Sequence, residues 1–370
     1  MLMSFSSLNP YNLIDMPQDE ASERYSFCSS LAADAWIDMG GKHSYQSWHF
    51  DAISDDGREA IVIDLYDNFI LSPRFHLMTE KVAASAITWP AVCIAYFADG
   101  RPVLNATSEF PVSSFRAAPD RPECSIGRSN FHAEASDYGT GFMVAVDLPA
   151  VGGRRIRTEF EWLSVEGNLQ TVHNPDADAL WNMTIPRADV SGKIELVGRR
   201  GKVRRSFSFR GTGYHDHIKS RDLHYRDLRS RMWGRAHFAD ATLVFERHGG
   251  VQDHSAPGRF ILIRDGQMTV RDAACLAGEH KRDRWGIQIP HRISYMSDDD
   301  IRMQIKPSAV ITSGISEVKT LSEVTLDLDD GKARRATGIT EFVDPRRLGK
   351  RLYRLLTDLK TGRGERSGWI

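Results

Sequence analysis

The sequence predicts an all-β chain, with two antiparallel β units in tandem and a short amphipathic helix at the C-terminus. Three observations carry this prediction. Apolar and polar residues alternate with a period of two through most of the chain, as in "REAIVIDLYDNFIL" (58–71) and "RRIRTEFEWLSVEG" (154–167). Turn dipeptides punctuate the runs at Asp56-Gly57, Asp99-Gly100, Glu166-Gly167, Asp265-Gly266 and Asp330-Gly331. Helical spacing is nearly absent until the last 25 residues.

Taken in order, residues 1–40 are polar and irregular, with a short helix expected at "ASERYSFCSSLAADAW" (21–36). A first β unit is expected over 41–195, containing the runs at 58–71, "AVCIAYFAD" (91–99), "GFMVAVDL" (141–148) and 154–167. The boundary is placed near 195, after "PRADVSG", where one series of strands stops and another starts. The second unit, 196–345, holds "KVRRSFSFRG", "ATLVFERHG", "GRFILIRDG", "RMQIKPSAVI" and "SEVTLDLDDGKARRATGITEFV". Two units suit the length, because 370 residues exceed what one small core organises. In the tail, 346–370, Leu348, Leu352, Leu355, Leu356 and Leu359 follow helical spacing. Eight basic against two acidic residues give the tail +6, in a chain whose formal net charge is −1. A basic amphipathic helix of this kind either docks on its own protein or makes a peripheral contact with an anionic membrane.

Composition excludes several function classes. Near-neutral net charge argues against nucleic-acid binding. Cys28, Cys93, Cys124 and Cys275 lie far apart without ligand spacing, so neither a disulfide scaffold nor a structural zinc site is expected. The N-terminus lacks the charged and apolar regions of a signal peptide, and no run reaches the length of a membrane span. A cytoplasmic location follows, with the inner membrane face as a peripheral option. No phosphate-binding loop, dinucleotide fingerprint, nucleophile elbow or zinc-protease motif occurs.

The chemistry concentrates in "RGTGYHDHIKS" (210–220). In an extended chain Tyr214 and Asp216 share one face while His215 and His217 share the other. A carboxyl on the inner wall of an apolar barrel is costly to ionise, so Asp216 can stay protonated near neutral pH and act as a general acid. The two histidines would hydrogen-bond to it from the neighbouring layer or fix the local turn. A metal reading joins His215 and His217 to His237 of the next strands, and a third reading makes the cluster purely structural. Trp48 and His49 in "SYQSWHFDAISDDGREA", Trp181, and the alternating Trp233, Arg235 and His237 could line an aromatic cavity.

These residues resemble the carotenoid 1,2-hydratase (hydroxyneurosporene synthase) and AttH-like family. The landmarks are "WHFDAISDDG", "FILSPRF", "PRADVSG", "GTGYHDH" and "WGRAHF", in that order, across roughly residues 44–345. The resemblance implies two consecutive lipocalin-like β-barrels and a hydratase that needs no cofactor or metal. It gives Asp216 the role of proton donor to an isolated C=C bond of an apolar polyene or isoprenoid. Tyr214, Trp181 and Trp233 would shield the resulting cation. His217 joins Asp216 and Tyr214 in the catalytic set, with Trp48, His49, Trp181, His215, Trp233, Arg235 and His237 around the substrate. Where the family often has His-x-Trp, this chain has Ala179 before Leu180 and Trp181. Two other functions fit the same scaffold: a pericyclase that only folds a polyene into a reactive shape, and a lipid or isoprenoid carrier.

Overall fold

The computed structural model describes residues 25–81, 88–136, 139–164, 179–221, 230–248, 255–297 and 301–368. The first half contributes β1 (Tyr25–Cys28), β2 (Tyr45–Ser54), β3 (Ala60–Tyr66), β4 (Ala91–Ala98), β5 (Arg101–Glu109) and β6 (Phe115–Ala117). It continues with β7 (Glu123–Ile126), β8 (Ser129–Ser136), β9 (Gly139–Ala150), β10 (Arg154–Ser164), β11 (Ala179–Val197) and β12 (Val203–Ser220). The second half holds β13 (Arg231–His237), β14 (Thr242–His248), β15 (Ser255–Arg264), β16 (Gln267–Ala277), β17 (His280–Arg282) and β18 (Gln288–Pro290). After them come β19 (Ile293–Met296), β20 (Arg302–Ser313), β21 (Glu317–Asp327), β22 (Ala333–Val343) and the tail strand β23 (Gly362–Arg363). Two α-helices, α1 (Pro73–Lys81) and α2 (Arg351–Lys360), and three short 3₁₀ turns complete the described elements.

The expected all-β class holds, and the two units differ in closure. Strands β13, β14, β15, β16, β19, β20, β21 and β22 form a closed barrel. The first unit is a curled sheet of order β23-β5-β4-β3-β2-β12-β11-β10-β9-β8-β7-β6, with β1 parallel to β11 and no closing ladder among the described residues. The terminal tail straps its gap instead. β23 pairs with β5, while Glu365 just beyond it meets Arg155 of β10 and Arg128.

Two of the Asp-Gly turns take the conformation that their chemistry favours. Asp99-Gly100 and Asp265-Gly266 each place both residues at positive φ, 51° and 76° in one and 52° and 72° in the other, as a type I′ hairpin needs. Glu166-Gly167 lies outside the described residues.

Three sequence expectations need correction. The boundary near 195 falls inside one hairpin: β11 and β12 pair from Val197↔Val203 to Ala179↔Ser220, so the chain leaves the first unit only after Ser220. A hairpin turn at 198–202 carries the same glycine and charge signals as a linker. The helix expected over 21–36 is replaced, within the described part, by β1 and a 3₁₀ turn at Ala32–Asp34. Phe27 packs there against Trp181, ring centres 6.0 Å apart, and this long-range contact outweighs the local pattern. Helix α1 was not expected. Ser72 caps it, its hydroxyl accepting from the amides of Arg74 at 3.1 Å and Phe75 at 3.2 Å, and Pro73 opens its first turn.

Each unit fills its own interior. Trp48, Phe50, Phe131, Phe142, Phe160 and Trp162 pack inside the first, and Phe245, Phe260, Tyr295 and Phe342 inside the second. The outer faces of β2, β3, β11 and β12 then rest on the outside of the barrel. Ile53, Val62 and Phe97 meet Ile311, Leu321 and Ile339 in that layer. Consequently β2 and residues 211–220 are buried on both faces.

Candidate active site between the two units

Strand β12 runs antiparallel beside β2, with Tyr214 opposite Asp51, His215 opposite Phe50, Asp216 opposite His49 and His217 opposite Trp48. Directly opposed residues share a face. Tyr214, Asp216, Asp51 and His49 therefore point one way, and His215, His217, Phe50 and Trp48 the other. Gly213 leaves room for Trp162 of β10 and Val190 of β11, two strands of the same sheet, to lie against it. A Cβ there would lie 2.5 Å from Val190 Cγ2 and 2.6 Å from both the Asp51 carbonyl oxygen and Trp162 Nε1.

Asp216 is fully buried. Trp181 Nε1 donates to its Oδ2 at 2.7 Å, and the Tyr214 hydroxyl donates to the same oxygen at 2.8 Å. Oδ1 has no hydrogen-bond partner among the described residues. Burial raises the Asp216 pKa above the ordinary carboxylate value; the charge of His49 and the two donors oppose the rise without cancelling it. Around the carboxyl stands an aromatic and aliphatic layer of Phe27, Tyr45, Trp181, Tyr214, Trp233 and Val244. Trp181 and Trp233 meet edge to face at 5.7 Å, and Trp233 meets the His49 ring at 5.0 Å.

Beside this layer runs a buried chain of alternating charge. His49 Nε2 contacts Asp51 Oδ2 at 2.7 Å, and its Nδ1 contacts Asp64 Oδ1 at 2.6 Å. Asp51 also pairs with Arg235 of β13. Lys319 Nζ donates to Asp64 Oδ2 at 3.1 Å and to Glu341 Oε1 at 2.7 Å. Burial alone would lower the His49 pKa, but the two flanking carboxylates outweigh it and hold the ring protonated up to about 10. For Asp64, burial is likewise overcome, by Lys319 and His49, which bring it down to about 2. Two cross-strand rows thus face each other, Asp216–His49–Asp64 on the sheet and Trp233–Glu341–Lys319 on the barrel. A cavity of about 250 Å³ opens at the end of this chain, lined by Asp64, Glu317, Lys319 and, from α2, Thr357 and Lys360.

The sequence-predicted residues divide accordingly. The structure brings together Asp216, Tyr214, His49, Trp181, Trp233 and Arg235, with Arg235 also 5.8 Å from the Tyr214 ring centre. Asp216 stands on the outer wall of the first unit, between the units, and not on the inner wall of a barrel. His217, His215 and Trp48 are corrected to the opposite side of the sheet. His215 Nδ1 meets the His49 carbonyl oxygen at 2.9 Å and its Nε2 meets Asp34 at 3.3 Å. His217 lies 3.7 Å from Asp34 and stacks on Trp48 at 4.4 Å. Burial pushes the His217 pKa well below its ordinary value. Neither histidine bonds to Asp216 in this geometry. The triad of His215, His217 and His237 is not assembled either, since His237 projects from the barrel exterior, its Nδ1 3.0 Å from Thr242. Sequence reading missed Asp34, Asp64, Lys319 and Glu341. For Asp64, Lys319 and Glu341 the signal is an ionisable residue inside a strand, as in "AIVIDLY", whereas Asp34 sits in a 3₁₀ turn and carries no such signal.

The chain is similar to proteins of this architecture. No family model matches it. A curated relative from Chlorobaculum tepidum, named hydroxyneurosporene dehydrogenase, is 18% identical over 338 residues, covering 87% of this chain and 88% of the relative. Kievitone hydratase from Nectria haematococca superposes with a TM-score of 0.52 at 9% identity, over 86% of this chain and 95% of that one. CghA superposes with a TM-score of 0.51 at 13% identity, over 82% and 88%. These likenesses show a shared fold across most of each chain.

Proposed function

We propose that the chain is a hydratase-type enzyme that protonates a C=C bond of an apolar polyene or isoprenoid, with Asp216 as the acid. One observation carries this reading: a fully buried carboxyl outside any ion pair among the described residues, one oxygen held by two donors and the other free. With Oδ2 accepting from Trp181 and Tyr214, the acidic proton belongs on Oδ1. Transfer of that proton to one alkene carbon leaves a cation on the other, which the faces of Trp181 and Trp233 stabilise. Water adds to the cation, and the proton it releases restores the carboxyl, so the net change is addition of one water. The name of a structural neighbour, kievitone hydratase, supports the reaction type, and that of the curated relative, hydroxyneurosporene dehydrogenase, supports the substrate class but not the hydration step.

Asp216→Asn keeps the size, and its one amide oxygen can still accept from Trp181 and Tyr214, but the amide nitrogen that replaces the other oxygen cannot donate an acidic proton. It is expected to fold normally by circular dichroism and to lose turnover of a polyene panel by about 10²–10⁴-fold. Full activity in this variant defeats the acid assignment. Loss on Trp181→Ala and Trp233→Ala with Asp216→Asn still active identifies a pericyclase instead.

The proposed partner for substrate supply is an anionic bilayer. Leu352, Leu355 and Leu359 of α2 are 63%, 56% and 36% exposed, and Leu77 and Met78 of the adjoining α1 are 42% and 39% exposed. Arg74 of α1 pairs with Asp358 of α2, which sets these apolar residues side by side. Arg346, Lys350, Arg351 and Arg354 accompany them, giving the charge that an anionic surface attracts. Truncating the tail would also remove the strap on β5, so point changes are the cleaner test. L352Q/L355Q/L359Q is expected to weaken co-sedimentation with mixed phosphatidylglycerol–phosphatidylcholine vesicles by at least roughly a hundredfold, since a fully exposed leucine leaving water contributes about 1.5–3 kcal/mol and these three are only partly exposed. Unchanged sedimentation, or concentration-dependent dimerisation abolished by the same changes, rejects the bilayer as the occupant.

A further inference from the structure

At the far end of β12 from Asp216, on the order of 35 Å along the strand, the first unit has a second concavity. It encloses about 830 Å³ between β5 and the tips of the β9–β10 and β11–β12 hairpins, within the size range of sites that hold small molecules. Its floor is apolar, made by Val103, Leu104, Ile156, Leu196 and Phe207. All five pack against or belong to the aromatic core of the unit. The rim carries Arg154, Arg199, Arg200, Arg204 and Arg205, and no carboxylate lines the cleft. Arg199 donates to the Gly152 carbonyl oxygen at 2.9 Å, which joins the two hairpin tips. Among the described residues none of the five arginines forms an ion pair; by contrast Arg155, next to Arg154 in sequence, pairs with Asp147 and Glu365.

Five like charges around one concavity repel one another, and among the described residues no carboxylate is paired with them. A carboxylate would match only one of the five charges and offers only two oxygens. A phosphate ester carries between one and two negative charges near neutral pH, and several oxygens that guanidinium forks can hold in pairs. The apolar floor beneath the rim provides for a chain attached to that phosphate. We propose that this cleft is a binding site for a phosphorylated apolar-chain compound, an alkyl or prenyl phosphate or diphosphate. The arginines hold the head and the floor holds the first part of the chain. This site is separate from the one at Asp216 and stands whether or not Asp216 is an acid catalyst.

Dodecyl phosphate, titrated calorimetrically into the full-length protein below its micelle concentration, is the direct probe. It is expected to bind at least tenfold more tightly than inorganic phosphate, and to weaken as salt is raised. All three of Arg200, Arg204 and Arg205 are exposed. R200Q/R204Q/R205Q should therefore keep the wild-type circular dichroism and melting temperature while losing binding by roughly a hundredfold or more, at about 1.5–3 kcal/mol for each charged hydrogen bond. Asp216→Asn should bind dodecyl phosphate as the wild type does. Competition between dodecyl phosphate and vesicles containing phosphatidic acid would mark a membrane lipid as the source of the head. Binding without such competition would mark a free phosphorylated chain. The proposal is overturned if the wild type does not bind dodecyl phosphate, if the triple variant binds it equally well, or if inorganic phosphate binds as tightly.

Discussion

His49 is where the charges of the interface converge. Asp51 and Asp64 bond its two ring nitrogens, Asp216 and Tyr214 face it from β12, and Arg235 and Lys319 stand one contact beyond. Its folded pKa of about 10 lies above the ordinary 6.5. The stabilisation from the protonated ring is therefore complete below about pH 6.5 and is lost as pH rises through about 10. His49→Gln is expected to be less stable at pH 6, by about 3–5 kcal/mol, because it leaves buried carboxylates short of a cation. Its stability should also decline less steeply than the wild type between pH 7 and 10, which urea titrations across that range would read. Parallel declines would show that another group titrates there. Period-two alternation was enough to place Tyr214 with Asp216 and apart from His215 and His217. It could not say which face turns inward, because that depends on where the second unit docks, and so His217, His215 and Trp48 were joined to a site from which the sheet separates them. Asp64 and Lys319 were illegible for a related reason: they meet across 255 residues of sequence.

Strand β12 shows at the level of an element how a site is held. Its first half has one exposed edge of arginines and serines, and its second half is buried on both sides. Gly213 marks the change, because Trp162 crosses over it and donates from Nε1 to the Asp51 carbonyl oxygen at 3.2 Å. Gly213→Ala should push Trp162 and Val190 aside and destabilise the protein by about 1–3 kcal/mol. The same change should lower turnover more than an equally destabilising substitution remote from the interface, such as Phe260→Leu in the barrel interior, because it shifts Asp51 and with it His49. Equal activity at equal stability would make Gly213 a packing residue only. Hairpins with Asp-Gly tips were legible because two φ-positive residues suffice to define them. The β11–β12 hairpin was misread as a boundary, since its long register, broken by bulges near Asn182 and Ile185, is set by β2 and β10 on either side. Helix α1 was passed over although "SPRF" carries its cap, because nine residues offer too short a run for helical periodicity to register.

At the scale of the molecule, the two units are joined by a layer that combines apolar contacts with a buried chain of charge. The apolar contacts of that layer are non-directional, whereas the charge chain fixes one register: Lys319 reaches Asp64 only if β21 lies over β3, and Arg235 reaches Asp51 only if β13 lies over β2. Lys319 thus joins the units while being bound on its own side by Glu341. Lys319→Met conserves volume and leaves Glu341 without its cation, in the company of Glu317, whose pKa burial already lifts to about 7. Breaking a buried pair from one side costs about 3–5 kcal/mol, whereas removing both partners costs far less. Calorimetry of Lys319→Met is therefore expected to show a large fall in melting temperature. Lys319→Met with Glu341→Gln should regain a substantial part of the loss, although Asp64 then keeps only His49. Lys306→Met, which removes an exposed lysine 3.4 Å from Glu323 on the barrel surface, should leave the melting temperature nearly unchanged. If the single interface variant melts like the surface variant, the units are held in register by their apolar contacts alone, and the charge chain serves only to set the electrostatics beside Asp216.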